Sequence, residues 1–308
     1  MLFSNVREFY RMKYKKQKAV SKLISRLISE KTVLAYNPWL KMLRRIGVNV
    51  VISNDDLETM DHGKTIRVDR TVICGGANFG LDYFGTNGRK GWRDYMIMLT
   101  GDATEDISRQ MNFEPDVDAS ERENRRRESD EQVPVWCLRN YSAEDGREKG
   151  AERFQITSAV VTLINGAENS IKFEHAYLMS MLVINAIMRA LKRGVHVTIL
   201  RSQPEMPSIE AANEEYFQIL EALAADFIAN GQLQIWKADE VLHTKLMVVD
   251  DKYILVGSAN LTTESLKHNR EQALLFYRED TQPEDSTPQV LQRHMDERIR
   301  LARAAMAA

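Results

Sequence analysis

H-G-K-T-I-R-V-D at His62–Asp69 and H-T-K-L-M-V-V-D at His243–Asp250 are one pattern, H-x-K-x4-D, set 181 residues apart. Each copy runs on through a short apolar stretch into G-x-A-N. The first has Gly75, Gly76, Ala77 and Asn78, and the second Gly257, Ser258, Ala259 and Asn260, its turn one residue longer. H-x-K-x4-D alone arises by chance in roughly a few per cent of chains this long. Two copies with the same trailing tetrapeptide mark an internal repeat. Upstream, a helical stretch from Trp39 to Arg45 closing at Gly47 precedes the first copy much as Tyr216 to Ala229 closing at Gly231 precedes the second. Downstream, an acid follows each asparagine at the edge of another apolar stretch, Asp94 in the first copy and Glu271 in the second.

Period-two spacing puts His62 with Lys64, and His243 with Lys245, on one face of a strand, so each pair can address one ligand. Two such strands meeting across a repeat interface gather two histidines, two lysines and the amides of Asn78 and Asn260. That set suits a phosphodiester. Ammonium groups and amide donors favour the charge of a five-coordinate phosphorus. One imidazole can attack phosphorus while the other passes a proton to the departing oxygen and takes one from the acceptor. The lysines supply the positive charge, so neither metal nor cofactor is expected. Asp94 and Glu271 are expected to orient the imidazoles by accepting a hydrogen bond at one ring nitrogen. Asp69 and Asp250, before tight turns, are expected to bond backbone groups. The two copies are equivalent in pattern, so the residues alone assign neither histidine a separate task.

The 308 residues hold 42 basic and 44 acidic side chains and are 44% apolar, which excludes wholesale disorder. The balanced charge argues against a dedicated nucleic-acid binder. Two cysteines, Cys74 and Cys137, cannot build a disulfide framework and point to a reducing compartment. No 18 apolar residues run together, and the start lacks a signal peptide's apolar block. The expectation is a cytoplasmic protein, peripheral on the membrane face.

Residues 1–31 carry nine Lys or Arg against two Glu, with Val20, Leu23, Ile24, Leu27 and Ile28 spaced as the stripe of an amphipathic helix. Such an arm suits either an anionic lipid surface or docking on the core. Residues 114–131 hold eight acids, four arginines and one valine and read as linker. The expected division is a basic arm over 1–31, a first half over 32–113, a charged linker over 114–150 and a second half over 151–308. In the second half, Ala159–Ile164, Ser170–Tyr177, Val195–Leu200 and Leu233–Trp236 read as strands, and Leu182–Lys192 and Ile209–Ala229 as helices. Alternation of this kind predicts an α/β fold with a parallel or mixed sheet covered on both faces.

H-x-K-x4-D followed by G-x-A-N, present twice, resembles the signature of the phospholipase D superfamily. Trp92-Arg93-Asp94 after a glycine-rich loop, with Gly101 beyond, resembles its bacterial cardiolipin synthase branch. The resemblance covers about residues 37–113 and 153–278. It implies two α/β/α repeats packed about a pseudo-twofold, one active site at their interface, a covalent phosphohistidine and no cofactor. By analogy His62 is the nucleophile and His243 the acid/base. The strand, helix and strand that match Ala159–Leu200 have no counterpart before His62, so the first repeat is expected to be truncated at its N-terminal side.

The remaining histidines, His175, His196, His268 and His294, have no counterpart in the first copy and are expected to be structural or solvated. The loop from Phe79 to Trp92 mixes aromatics with glycines and serves equally as an acyl-chain entry or a plain connection. The expected function is a phosphatidyltransferase or phospholipase D-type phosphodiesterase taking anionic phospholipid at a membrane surface, with no stable protein partner. A nuclease is the rival, and a phosphate-binding relic without turnover is a third reading.

Overall fold

The computed structural model describes residues 38–47, 61–68, 71–78, 80–85, 91–101, 104, 107, 133–141, 153–203 and 207–307. The basic arm, Asp69 and the acidic stretch 114–131 lie outside them. The chain divides into two compact units, Met1–Asp61 and His62–Ala308. In the first, Pro38–Arg45 forms helix α1. Proline at its first position costs no hydrogen bond there, and Gly47, at φ +90°, takes the left-handed conformation that closes the last turn.

The second unit opens with β1 (Lys64–Val68), β2 (Thr71–Gly75), the short helix α2 (Leu81–Phe84) and β3 (Met96–Leu99). β1, β2 and β3 form an antiparallel three-stranded sheet in that order. There follow β4 (Val135–Asn140), α3 (Gln155–Gly166), β5 (Ser170–His175), β6 (Leu178–Met179), α4 (Met181–Lys192) and β7 (His196–Arg201). Then come α5 (Pro207–Leu223), α6 (Ala225–Ala229), β8 (Leu233–Lys237), β9 (Lys245–Val249) and β10 (Tyr253–Gly257). The chain continues with β11 (Leu261–Thr262), α7 (Thr263–Lys267), β12 (Glu271–Tyr277) and α8 (Thr287–Ala307).

Seven strands make the main sheet in the order β4-β12-β10-β9-β5-β7-β8. β5, β7 and β8 run parallel and the rest pair antiparallel, so the sheet is mixed. Every residue of β9 is buried, which is why K-L-M-V-V reads as a continuous apolar run rather than an alternation. One face of the sheet packs Ile171, Phe173, Met247 and Val249 against Ile156, Val160 and Ile164 of α3 and Ile184 and Ile187 of α4. The other packs Leu246, Val248, Val256 and Leu274 against Leu291, Met295 and Ile299 of α8 and against Val72, Cys74, Ile97 and Leu99 of the small sheet. The small sheet is thus the first repeat's counterpart of β9, β10 and β12, set on the far face of the large one.

Three expectations are corrected. Ala159–Ile164 is helical, inside α3. Its aliphatic residues suggested a strand, but Ile156, Val160 and Ile164 recur every four residues and make one buried helical stripe. Residues 135–140, assigned to a linker over 114–150, form β4, which pairs with β12 along its whole length and closes one edge of the main sheet. Ile209–Ala229 is interrupted at Ala224, giving α5 and α6. Among the described residues no helix is long and apolar enough to cross a membrane.

Candidate active site

Each motif histidine is placed by the same backbone device. The His62 N–H donates to the carbonyl of Arg270, 2.9 Å away, and the His243 N–H donates to the carbonyl of Arg93, 2.8 Å away. In both cases the acceptor is the residue just before an acid. The Arg93 N–H also reaches the Val241 carbonyl at 3.0 Å, closing a short parallel bridge. The acids are thereby exchanged between copies. Glu271 of the second copy holds His62, with Nδ1 at 3.0 Å from Oε2. Asp94 of the first copy holds His243, with Nδ1 at 2.6 Å from Oδ2. A carboxylate at Nδ1 fixes the tautomer with Nε2 unprotonated, and in the second copy Lys245 Nζ lies 3.1 Å from that nitrogen.

Both carboxylates are themselves anchored. Glu271 Oε2 accepts the Ser258 hydroxyl at 2.5 Å, and Asn269 Nδ2 donates to Oε1 at 3.4 Å. Asp94 Oδ1 accepts the Tyr95 N–H at 2.8 Å. Gly76, which stands where the second copy has Ser258, lies so close to Asp94 that a Cβ there would overlap its carboxylate.

The lysines follow the strand geometry. Lys64 Nζ donates to the His62 carbonyl at 2.6 Å. Lys245 Nζ donates to the His243 carbonyl and sits 2.7 Å from that histidine's Nδ1. Both lysines are buried. Burial pushes His243 down to about 4, the charges of Lys245 and Lys64 push it the same way, and Asp94 opposes them. The two motif copies touch through the exchanged acids, Glu271 on His62 and Asp94 on His243.

Tyr83 meets the His243 ring edge-on at a 5.1 Å centroid distance, and Trp92 lies nearly parallel to it at 6.2 Å. Exposed Asn78 donates Nδ2 to the Tyr83 hydroxyl at 2.9 Å, whereas Asn260 is half-buried with its Oδ1 unpartnered. The loop read as acyl entry or plain connection therefore supplies two rings that wall the second histidine. Alternating pattern could not find them, because α2 and the bond of the Trp92 N–H to the Asp82 carbonyl bring Tyr83 and Trp92 together, their centroids 5.2 Å apart.

Asp250 lies away from the site chemistry. It turns the chain between β9 and β10, where it and Asp251 have φ of 52° and 55°, a conformation aspartate tolerates. Its carboxylate accepts the N–H groups of Glu168, Asn169 and Ser170 at 2.9, 2.7 and 2.8 Å. His196 and His294 are exposed. His175 is buried beside Lys245 and pushed down to about 3, first by burial and then by that lysine's charge. Burial raises the Cys74 thiol to about 12, which makes it inert as a nucleophile.

Residues 160–295 match the family model described as cardiolipin synthase, PLD-like domain. The chain is 24% identical over 232 residues to cardiolipin synthase B of Escherichia coli K12, covering 70% of this chain and 51% of that protein. It is 28% identical over 248 residues to a cardiolipin synthase of Oceanobacillus iheyensis, covering 76% and 50%. The chain spans about half the length of the curated relatives it matches. Among solved structures, phosphatidylserine synthase of Haemophilus influenzae shares the fold with a TM-score of 0.58 at 17% identity, over 79% of this chain and 62% of that one. With two H-x-K-x4-D copies, exchanged acids and this pattern of likeness, the chain is similar to the cardiolipin synthase-like branch of the phospholipase D superfamily.

Proposed function

We propose that this chain is a phosphatidyltransferase or phospholipase D-type phosphodiesterase, cardiolipin synthase-like, working through a phosphohistidine. The observation that carries the reading is the exchange of acids: each imidazole is held at Nδ1 by a carboxylate from the other copy, with a buried lysine of its own copy two residues on. His62 Nε2 attacks phosphorus and forms a P–N bond as the bond to the departing alcohol oxygen breaks. His243 gives that oxygen its proton. A second lipid's hydroxyl, or water, then loses its proton to His243 and attacks phosphorus, and the P–N bond breaks. Lys64 and Lys245 hold the non-bridging oxygens, and the amides of Asn78 and Asn260 complete the cradle. Asp94 and Glu271 orient the imidazoles, while Asp250 holds the strand end.

With its pKa pushed down to about 4, His243 is a neutral imidazole at neutral pH in the empty site, its single ring proton on Nδ1 toward Asp94. A bound phosphodiester anion offsets the two lysine charges and raises the pKa, which eases protonation of the ring for the acid step. The basic arm over 1–31 would add attraction to anionic lipid, roughly 1 kcal/mol per Lys or Arg near the surface.

The test offers the chain three substrates: phosphatidylglycerol vesicles, single-stranded DNA and a p-nitrophenyl phosphodiester. Lipid transfer or hydrolysis, with an acid-labile label trapped on a histidine, is the expected result. Cleavage of DNA alone replaces the lipid reading with a nuclease, and turnover of none of the three replaces it with a phosphate-binding relic.

A further inference from the structure

Beneath His243, on the α8 side of the main sheet, lies a buried charged cluster that the reaction above leaves unused. Strand alternation sends Ile171 and Phe173 toward α3 and α4, and Lys172 and Glu174 the other way. Glu174 is fully buried. Arg298 of α8 donates both Nε, at 3.0 Å, and Nη2, at 2.7 Å, to one oxygen of that carboxylate, Oε2. The same guanidinium lies 5.2 Å above the ring of Tyr95. Tyr95 is the residue whose N–H holds Asp94, and Asp94 holds His243. Thr244, between His243 and Lys245, acts on Glu174 from the motif strand itself, although its Oγ1 and the free Oε1 of Glu174 complete no full hydrogen bond.

A buried ion pair seldom adds net stability over an apolar pair of the same size, so its place in this core asks for another reason. Burial pushes Glu174 upward, and the nearby carboxylates of Asp94 and Glu240 push it further. Two N–H donors on one oxygen suit a carboxylate and keep the negative charge there. Burial lowers Arg298 to about 10, with Arg93 adding to the effect, which still leaves it cationic at neutral pH. Lys172 is committed elsewhere, to Asp251 and Asp296, and Arg93 is paired with Glu240. Arg298 is therefore the cation that clasps Glu174 on one side and Tyr95 on the other.

We infer that Arg298, locked by Glu174, is a positioning residue: by clamping Tyr95 it fixes Asp94 and so aims His243. The role rests on the acid/base task proposed for His243. It gives the C-terminal helix a part in the site that neither motif copy encodes.

The experiment follows p-nitrophenolate release in the full chain carrying Arg298→Gln, Glu174→Gln or Arg298→Lys. Nitrophenol leaves without a proton, so the first burst reports His62 alone, and the slower steady rate reports deprotonation of water by His243. In Arg298→Gln the burst rate and amplitude should stay within twofold of the parent while the steady rate falls about tenfold, the scale of a small misplacement of a reacting group. Glu174→Gln should do the same more weakly, and Arg298→Lys should restore part of the rate. A role confined to folding would shrink burst amplitude and steady rate together, and that result overturns the inference. Proton NMR provides an arm that needs no turnover. The downfield Nδ1–H resonance of His243, assigned by its absence in His243→Ala, should broaden or shift upfield in Arg298→Gln. An unmoved resonance overturns the positioning role. A parent protein that releases no nitrophenolate overturns the proposed function, while the resonance still decides the clamp.

Discussion

The two motif copies begin from nearly the same eight residues and end in different surroundings. The second sits in the middle of a seven-stranded sheet with helices on both faces, and its β9 has no exposed residue. The first sits on a sheet of three strands, with β1 only partly buried. His62 keeps 18% of its side chain exposed, against 9% for His243, which is further walled by Tyr83 and Trp92. On the proposed function, the motif specifies which groups meet a phosphodiester, while the packing around each copy separates the tasks of the two histidines. The imidazole with open access suits attack on an incoming substrate. The enclosed one, shielded from bulk water and flanked by lysine, suits controlled proton transfer.

Exchanging the two histidines for alanine strains this comparison hardest. His62→Ala should abolish phosphoenzyme labelling and lower turnover by about 10⁴-fold or more. His243→Ala should keep the first attack on a p-nitrophenyl ester, accumulate label on His62 and slow the second step by about 10²- to 10⁴-fold. Mapping the acid-labile adduct checks both. Label on His243 in the His62→Ala protein would reverse the roles, and full activity in either variant would eliminate a two-histidine mechanism.

A finer contrast lies one position into each G-x-A-N. Ser258 donates to Glu271, whereas Gly76 leaves the space that the shorter Asp94 fills. Making each copy like the other should therefore hurt unequally. Gly76→Ser drives a side chain into the Asp94 carboxylate, and loss of its hold on His243 should cost about 100-fold in turnover. Ser258→Gly removes one hydrogen bond to a buried carboxylate, net worth about 1 kcal/mol, and should cost about fivefold. Equal losses, with melting temperatures unchanged, would show that the two acids are anchored alike.

How much of this was legible in the sequence follows the range of each interaction. Two H-x-K-x4-D copies with G-x-A-N announced the histidine–lysine faces, because strand alternation is local. Asp94 and Glu271 were legible as orienting acids from their matched places. Their exchange between copies was not, since it depends on the small sheet packing against the large one and on carbonyls of Arg93 and Arg270 that carry no sequence signal. α3 was misread because aliphatic residues such as Ile156 and Val160 serve a helix as well as a strand once both sides are covered. β4 escaped because a single edge strand sits beside a long charged stretch. Arg298 lies 124 residues from Glu174, a separation at which no spacing rule operates.

The smallest expected effect is a titration, and it separates enclosure from charge as the cause of the depressed His243. In the empty protein its imidazole should titrate near 4, since burial, Lys245 and Lys64 all favour the neutral ring. Its folded value then lies below the unfolded value near 6.5, so the folded state binds fewer protons between these limits. The fold keeps this contribution to stability above pH 6.5 and loses it as the pH falls toward 4. Inorganic phosphate or vanadate between the two lysines would cancel much of their charge while leaving the burial intact. The imidazole should then titrate about 1 unit higher, by the ordinary effect of an opposite charge within a few ångströms. Lys64→Met should raise it in the same direction without any anion, and should blunt the further rise on adding one. An imidazole that stays near 4 with phosphate bound would assign the depression to enclosure alone, and would remove the means by which substrate eases protonation of the ring.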